Sequence, residues 1–550
     1  MEKIFRERYF SRKIAVIALT VLYIVWGSLF IYRSSYIALD GQRYFGLFDD
    51  AMISMRYAWN FAHGLGLVWN AGQRVEGYSN LLMTLVMALA SLFLEKKFAV
   101  LAVQVFGLLT VLVTAYLTKL VADEINEGKP KRELIGYLAF ACVLLYYPLS
   151  YWTLMGMETG LLTLLLMACT LFALRWLKTN KTSDLVYAAS VAGLAFLTRN
   201  DSILLSALVF AYIGLETYIN KRDKQTYLKI LYAGCLVVLF PIAQIVFRYL
   251  YYSELLPNTY ILKLSGIPLS VRLVGGYRFL QPFFQQSALL LIFALIGLLL
   301  DLRRINALLF SFIIVAVLYQ IYVGGDPWQL WRMLAPAMPA LFILVIMAGS
   351  VIVMRLPWLA SQKYAAAAFV LIFTMVPLAL TDLPFLADMS VRGPTSAAIA
   401  NHVNTNTALA INRLTSPEAT IGVIWAGTLP YYTDRTGVDF LGKSDPVIAR
   451  LKPDLSGAVS WAGERSVPGH NKYDLNYSIV QLQPTYIQAF SWGSQTVKPW
   501  VELNYVRVEY HTALGTKTVF LRKDSPYVCW ELCKNQYKII PWPKPKKANP

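Results

Sequence analysis

A polytopic α-helical membrane protein of about eleven transmembrane helices, with a soluble mixed α/β domain at its C-terminus, is the fold class predicted by this 550-residue chain. Three observations predict it. Hydrophobic residues make up 57% of the chain and charged residues 15%, with a mean hydropathy of +0.50, whereas soluble domains carry about 25% charged residues. The apolar residues gather in runs near the roughly 20 residues that cross a bilayer core. These runs stop near residue 381, after which the sequence turns polar and is punctuated by Pro and Gly.

The runs that qualify as spans are 14–32, 98–118, 134–151, 159–177, 183–197, 202–219, 230–250, 286–302, 306–323, 335–354 and 364–381. The first lacks a signal-peptide cleavage pattern and is long enough to stay in the membrane. A further apolar stretch, 79–94, is assigned by charge. Lys3, Arg6, Arg8, Arg12 and Lys13 place the N-terminus in the cytoplasm, because Lys and Arg accumulate in cytoplasmic loops. With 79–94 as a juxtamembrane or re-entrant helix on the outer face, the cytoplasmic segments collect 20 Lys and Arg. A full span there would invert every later loop and put those clusters outside.

The expected organisation is a membrane domain over 1–381, whose first extracytoplasmic loop with its juxtamembrane helices covers 33–97, and a soluble extracytoplasmic domain over 382–550. That domain holds 18 of the 50 Lys and Arg, so the formal net charge of +18 is mostly topology and nucleic acid is not an expected partner. Five cysteines do not make a disulfide scaffold. Cys529 and Cys533 lie in the outer domain, where a bridge is permitted without being required.

Charged side chains collect at the outer face. Asp49 and Asp50 precede a helix-like stretch with apolar residues at 52, 53, 57, 58 and 61. Two carboxylates there suit helix capping, and equally a general base or a divalent-ion site. Glu158 starts the next span on the same side, as a cap or as part of a site. Thr198-Arg199-Asn200-Asp201 joins two short spans, where Arg199 suits a lipid phosphate at headgroup depth or an internal pair with Asp201. Lys263, Asp326 and Arg332 occupy two further outer loops. His470, in the turn Pro468-Gly469-His470-Asn471-Lys472, is either a surface-turn residue or a contact to substrate. Tyr431, Tyr432, Trp461 and Trp492 are either core or stacking surfaces for a sugar. Acids and bases gathered at one membrane face point to chemistry at the interface, whereas a transporter more often places ionisable groups near the midplane. A lipid-linked oligosaccharide flippase and an O-antigen ligase or polymerase are the alternatives. The odd span count and the absence of echoing halves disfavour the flippase, and the concentration of charge in the first outer loop disfavours the ligase.

In order and spacing these segments resemble the GT-C glycosyltransferases, notably the mycobacterial terminal arabinofuranosyltransferase and its Gram-negative relatives. The strings are Asp49-Asp50-Ala51-x-Ile53-Ser54-x-Arg56-Tyr57-Ala58, Gly64-x-Gly66-Leu67-Val68-Trp69-Asn70, Val75-Glu76-Gly77-Tyr78, Gly156-Met157-Glu158-Thr159, Leu256-Pro257-Asn258-Thr259-Tyr260 with Lys263, and Gly324-Gly325-Asp326 with Arg332. The likeness continues more loosely through Asp434-Arg435, Asp439-x-Leu441-Gly442 and Pro468-Gly469-His470. Met52 departs from the aromatic residue usual in the relatives, and the Ile-, Phe-, Tyr- and Lys-rich composition is not actinobacterial.

The resemblance implies a GT-C-like membrane domain in a bacterial inner membrane with a periplasmic C-terminal domain. It implies transfer of a sugar, D-arabinofuranose by analogy, from a polyprenyl-phosphate donor to a glycan or glycoprotein hydroxyl. Asp49 would be the general base, assisted by Asp50, and Arg199, Lys263 and Arg332 would hold the donor phosphate. Arg56, Tyr57, Glu76, Glu158, Asn258, Asp326 and His470 would contact acceptor or sugar. A divalent cation, if used, would fall to Asp49, Asp50 and Glu158.

Overall fold

The computed structural model describes residues 2–129, 132–328, 330–457 and 467–542; Trp461 and most of the Pro/Lys tail lie outside them. Among these residues eight helices are long and apolar enough to cross a membrane, or ten if each of two bent pairs counts as one span. The eight are Ile14–Arg33, Lys96–Ile125, Thr159–Thr179, Asn200–Ile219, Lys224–Tyr252, Arg304–Val323, Ala335–Arg355 and Tyr364–Met389. The expected span at 183–197 is the helix Thr182–Thr198, apolar but shorter. The protein is a multi-pass membrane protein. Ala335–Arg355 is its central helix, enclosed along most of its length, while Lys224–Tyr252 is peripheral and turns Leu231, Leu239 and Leu250 outward.

One expected straight span is bent, and another follows a sharp break from the helix before it. The run 134–151 divides into Arg132–Leu145 and Tyr147–Leu154, set at 53°. Pro148 sits in the first turn of the second piece, where its missing N–H costs nothing and its ring would clash with a continuing helix. The span expected at 286–302 is the helix Ala288–Leu300, and Leu269–Gln286 meets it at 81°. The final apolar stretch continues past the expected boundary at 381 to Met389.

The apolar stretch 79–94 forms the helix Leu81–Phe93, and both of its ends meet the same face. Before it, Asn80 donates to Glu158 at 3.2 Å; after it, Lys96 pairs with Asp434 of the C-terminal domain at 2.5 Å. At 13 residues this helix is among the shorter apolar helices and is not one of the eight long enough to cross. The same face gathers the other loops, with Phe48 N–H donating to the Met155 carbonyl at 2.9 Å.

The C-terminal domain is built on a mixed sheet of six strands: β1 (Thr420–Val423), β2 (Thr436–Asp439), β3 (Tyr486–Ile487), β4 (Tyr505–Thr512), β5 (Gly515–Arg522) and β6 (Lys538–Ile540). Their spatial order is β6-β4-β5-β3-β1-β2. β1 is parallel to β2 and β3, while β4 pairs antiparallel with β5 and β6. Val519 and Leu521 of β5 point into the core at the two-residue period of a half-buried strand. The helix Ser396–Leu414, capped by the Thr395 hydroxyl, packs beside the sheet and reaches the membrane domain: Asn401 donates to the Leu47 carbonyl. Cys529 and Cys533 are both free thiols, one helical turn apart.

Candidate active site

Asp49 and Asp50 form the first turn of the helix Asp49–Ala62. Neither side chain caps that helix. Asp49 instead accepts hydrogen bonds from the backbone N–H groups of Gly427, at 3.2 Å, and Thr428, at 3.0 Å, where the helix Thr428–Thr433 begins in the C-terminal domain. A Cβ on Gly427 would lie 2.1 Å from the Asp49 carbonyl oxygen, so only glycine permits this approach. Enclosure raises the Asp49 carboxyl to about 6; the Thr428 N–H and the Lys443 charge oppose that rise and the Asp50 charge adds to it.

Asp50 experiences the opposite balance. Burial disfavours its charge, but Lys443, Arg332 and Lys263 outweigh burial and hold it well below the usual carboxylate range. It forms ion pairs with Lys443 and, at 3.3 Å, with Arg332. Adjacent acids thus split, Asp49 toward a proton acceptor near neutrality and Asp50 toward permanent charge.

Lys443 was not singled out in the sequence, although it directly follows Asp439-x-Leu441-Gly442. Its loop is clamped from two sides. The buried Asp439 carboxylate accepts from the N–H groups of Leu441, Gly442 and Ser444 at 3.0, 3.1 and 2.8 Å. From the membrane domain, the Asn258 amide donates to the Gly442 and Lys443 carbonyls, both at 2.9 Å. Gly427 follows β1 and Lys443 follows β2, so the carboxyl ends of the parallel strands face the site, the usual ligand side of such sheets.

Three cavities adjoin here, two of them lined by Asp49. One of 150 Å³ is lined by Arg199, Lys263, Asp326 and Arg332. One of 210 Å³ is lined by Asp49, Asp50, Lys443, His470 and Trp492. The largest, 690 Å³, is walled by Asp49, Trp152, Trp328, Trp331 and Trp425. Pro327 lines all three. The smallest shares Arg199, Asp201, Tyr319, Arg332 and Met333 with a narrow apolar groove of 30 Å³, whose Leu204, Leu205 and Val315 belong to the spans Asn200–Ile219 and Arg304–Val323.

The cations of the smallest cavity are unequally engaged. Arg199 pairs with Asp201 through two hydrogen bonds at 3.0 Å and with Glu158 at 2.6 Å, so the internal pair foreseen as an alternative is present. Arg332 pairs with Asp326 at 2.7 Å and lies over the Trp152 ring, while its buried Nε is left without a partner. Lys263 has no ion pair among the described residues. Burial, with repulsion from Lys443 and Arg332, pushes its ammonium down to about 8, which leaves it mostly protonated at pH 7.

Several residues expected at the acceptor site line none of these cavities. Arg56 pairs with Asp434 at 2.5 Å and donates to the Trp69 carbonyl. The Tyr57 hydroxyl donates to Val75 and accepts from Gly77 N–H, both at 2.8 Å. Glu76 and Arg248 form a buried ion pair, and Asn258 clamps the Lys443 loop. Each is engaged in a tie between segments of the chain, although the buried Asn258 Oδ1 is left without a partner. Asp326 acts on Arg332 and accepts from Trp328 N–H at 3.0 Å. His470 does line the 210 Å³ cavity; burial and the Lys443 charge push its imidazole down to about 4, so it is neutral at pH 7. Tyr431 and Tyr432 are core. Trp328, Trp425 and Tyr319 are cavity residues for which the sequence carried no signal beyond their place beside quoted motifs. The three carboxylates expected to hold a divalent ion do not converge: among the described residues no three His, Cys, Asp or Glu form a metal-binding group, and Glu158 is taken up by Arg199 and Asn80.

A family model described as a domain of unknown function (DUF8728) matches residues 396–529. No curated protein matches the chain. Among solved structures, it is similar to ArnT from Cupriavidus metallidurans in the apo state, at 16% sequence identity and a TM-score of 0.47, covering 77% of this chain and 86% of that one. ArnT bound to undecaprenyl phosphate is similar at 14% identity and a TM-score of 0.48, covering 78% and 85%. The apo oligosaccharyltransferase of Archaeoglobus fulgidus is similar at 13% identity and a TM-score of 0.48, covering 96% and 76%.

Proposed function

We propose that this protein is a membrane glycosyltransferase of the GT-C type that moves a sugar from a polyprenyl-phosphate donor to an acceptor hydroxyl, with Asp49 as general base. The observation that carries the proposal is the cavity holding Lys263 and Arg332, which shares its wall with an apolar groove between two spans and meets the Asp49 cavities at Pro327. A cationic pocket joined to an apolar groove fits a phosphate attached to a prenyl chain.

In this scheme the phosphate meets Lys263 and the Arg332 guanidinium, and the prenyl chain runs outward over the exposed Leu204 of the span Asn200–Ile219. Asp49 takes the proton of the acceptor hydroxyl as its oxygen attacks the anomeric carbon. The bond from that carbon to the phosphate oxygen breaks, and polyprenyl phosphate leaves. Lys263 and Arg332 stand where negative charge grows on the leaving group, which is where fixed cations lower a barrier. Asp50 holds Lys443 and Arg332 in place. Arg199, balanced by Glu158 and Asp201, shapes the pocket wall.

By resemblance of the motifs, the sugar is D-arabinofuranose and the acceptor a cell-surface glycan or pilin-type glycoprotein. The setting that suits them is a bacterial inner membrane with the N-terminus cytoplasmic and the C-terminal domain periplasmic. The test is transfer by purified protein in detergent from polyprenyl-phosphoryl arabinose to a sugar acceptor, beside Asp49→Asn. Unchanged turnover in the variant sinks the base assignment; lipid scrambling in liposomes with no transfer replaces the enzyme with a flippase.

A further inference from the structure

The 690 Å³ cavity has a chemistry different from its two neighbours. Its volume lies within the roughly 300–1,000 Å³ of ligand pockets. Its walls carry the indoles of Trp152, Trp328, Trp331 and Trp425, of which Trp328 and Trp425 also line the 210 Å³ cavity, and the side-chain amides of Gln286 and Asn404. Among its described lining residues two, Asp49 and Asp388, are carboxylates and none is Lys, Arg or His. Trp425 is 40% exposed although it sits at the mouth of the site. Its backbone is fixed, with the Gln488 side chain accepting from the N–H groups of Ile424 and Trp425 at 2.8 and 2.9 Å. Trp328 lies beside it, ring centroids 5.9 Å apart. An exposed indole on an anchored backbone is a stacking surface held ready for a ligand.

Asp49 faces this cavity and the 210 Å³ one. A sugar bonded to a phosphate at Lys263 enters the nearer of them, beside Lys443 and Asp50, whose charges already act on Lys263. The acceptor must reach Asp49 from the other side. We infer that the 690 Å³ cavity is the acceptor site and that it takes an uncharged saccharide, stacked on Trp425 and Trp328. Apolar C–H faces of a sugar ring fit indoles, hydroxyls fit amides and carboxylates, and a phosphorylated or acidic acceptor would meet two carboxylates with no cation to answer it. The inference rests on the glycosyltransferase proposal.

The full-length protein in detergent, given polyprenyl-phosphoryl arabinose and a panel of neutral oligosaccharides each paired with its phosphorylated counterpart, tests it. The neutral members are expected to be accepted with a KM at least about tenfold lower than their counterparts. Trp425→Ala is expected to raise the acceptor KM about tenfold, with Trp425→Phe recovering most of it, and Asp388→Asn, whose carboxylate lines the 690 Å³ cavity and not the 210 Å³ one, to narrow the preference for neutral acceptors with the donor KM unmoved. Equal use of the phosphorylated acceptors, or an acceptor KM unmoved by Trp425→Ala, overturns this inference while transfer itself persists. Absence of transfer by the unmodified protein overturns the glycosyltransferase proposal and this inference together.

Discussion

The helix Asp49–Ala62 and the loop behind it contain two regions that use the same residue types for different ends. At the helix start, two carboxylates meet Lys443, Arg332 and Lys263, three cavities open, and Lys263 keeps its charge unpaired among the described residues. Farther along, Arg56 meets Asp434, Glu76 meets Arg248 and Tyr57 holds the loop at Val75 and Gly77, and none of these residues lines the three cavities. The lesson lies in the balance. Where charges match one to one they hold segments together; where a cation beside open space has no ion pair among the described residues, as with Lys263, it can answer a ligand's charge.

Loss of the proton acceptor is the largest expected effect. Asp49→Asn lowers kcat/KM about 10³-fold, the middle of the range for general-base removal. Because the Asp49 carboxyl is raised to about 6, its base form predominates above that pH and is protonated away below it. The rate therefore rises with pH up to about 6 and then levels; a flat profile between pH 5 and 7 would break the assignment of the helix start as catalytic.

Next in size is the buried pair of the second region. Glu76→Ala strands Arg248 without its partner and costs about 3–5 kcal/mol of stability, read as a fall in Tm in detergent. Protein that remains folded should keep its acceptor KM. A raised acceptor KM at unchanged Tm would move Glu76 back into a binding site and erase the distinction between the two regions.

Lys263→Met should lower kcat/KM about 10²-fold through the donor phosphate, with Tm held or slightly raised because a buried charge is removed. An unaffected donor response would mean that Arg332 alone answers the phosphate. The smallest effect is expected at Asp434→Asn, about 1 kcal/mol or less, because that side chain is 55% exposed and its pairs with Arg56 and Lys96 are screened by water. A loss as large as that of Glu76→Ala would show that the domain junction depends on this rim contact.

Much of the architecture was legible from one dimension. Apolar runs marked where the long helices lie, and Leu81–Phe93 was legible as an apolar helix. Bends were not legible, because the 53° and 81° breaks depend on how each half packs; Pro148 was visible, but a proline alone does not state an angle. Asp49 and Asp50 stood out as an adjacent pair on a helix start. Lys443 did not, being one lysine among 18 basic residues of its domain. Arg56, Glu76 and Asn258 were visible only as members of motifs, and a motif does not distinguish a residue that touches substrate from one that holds such a residue in place.

The sequence by itself determined the membrane class, the succession of apolar helices, the side on which charge accumulates and the acidic pair at its centre. Those properties are local: hydropathy, run length and charge sign act within a few turns of chain. Tertiary structure alone decided which charges cancel. Lys443 reaches Asp50 across 393 residues of chain, Glu76 finds Arg248 across 172, and Arg199 is claimed by Glu158 and Asp201 while Lys263 is left open. An ion pair is settled by distances of a few ångströms between segments that share no local pattern, so which charges hold the fold and which stand free for a ligand was set only once the chain had closed.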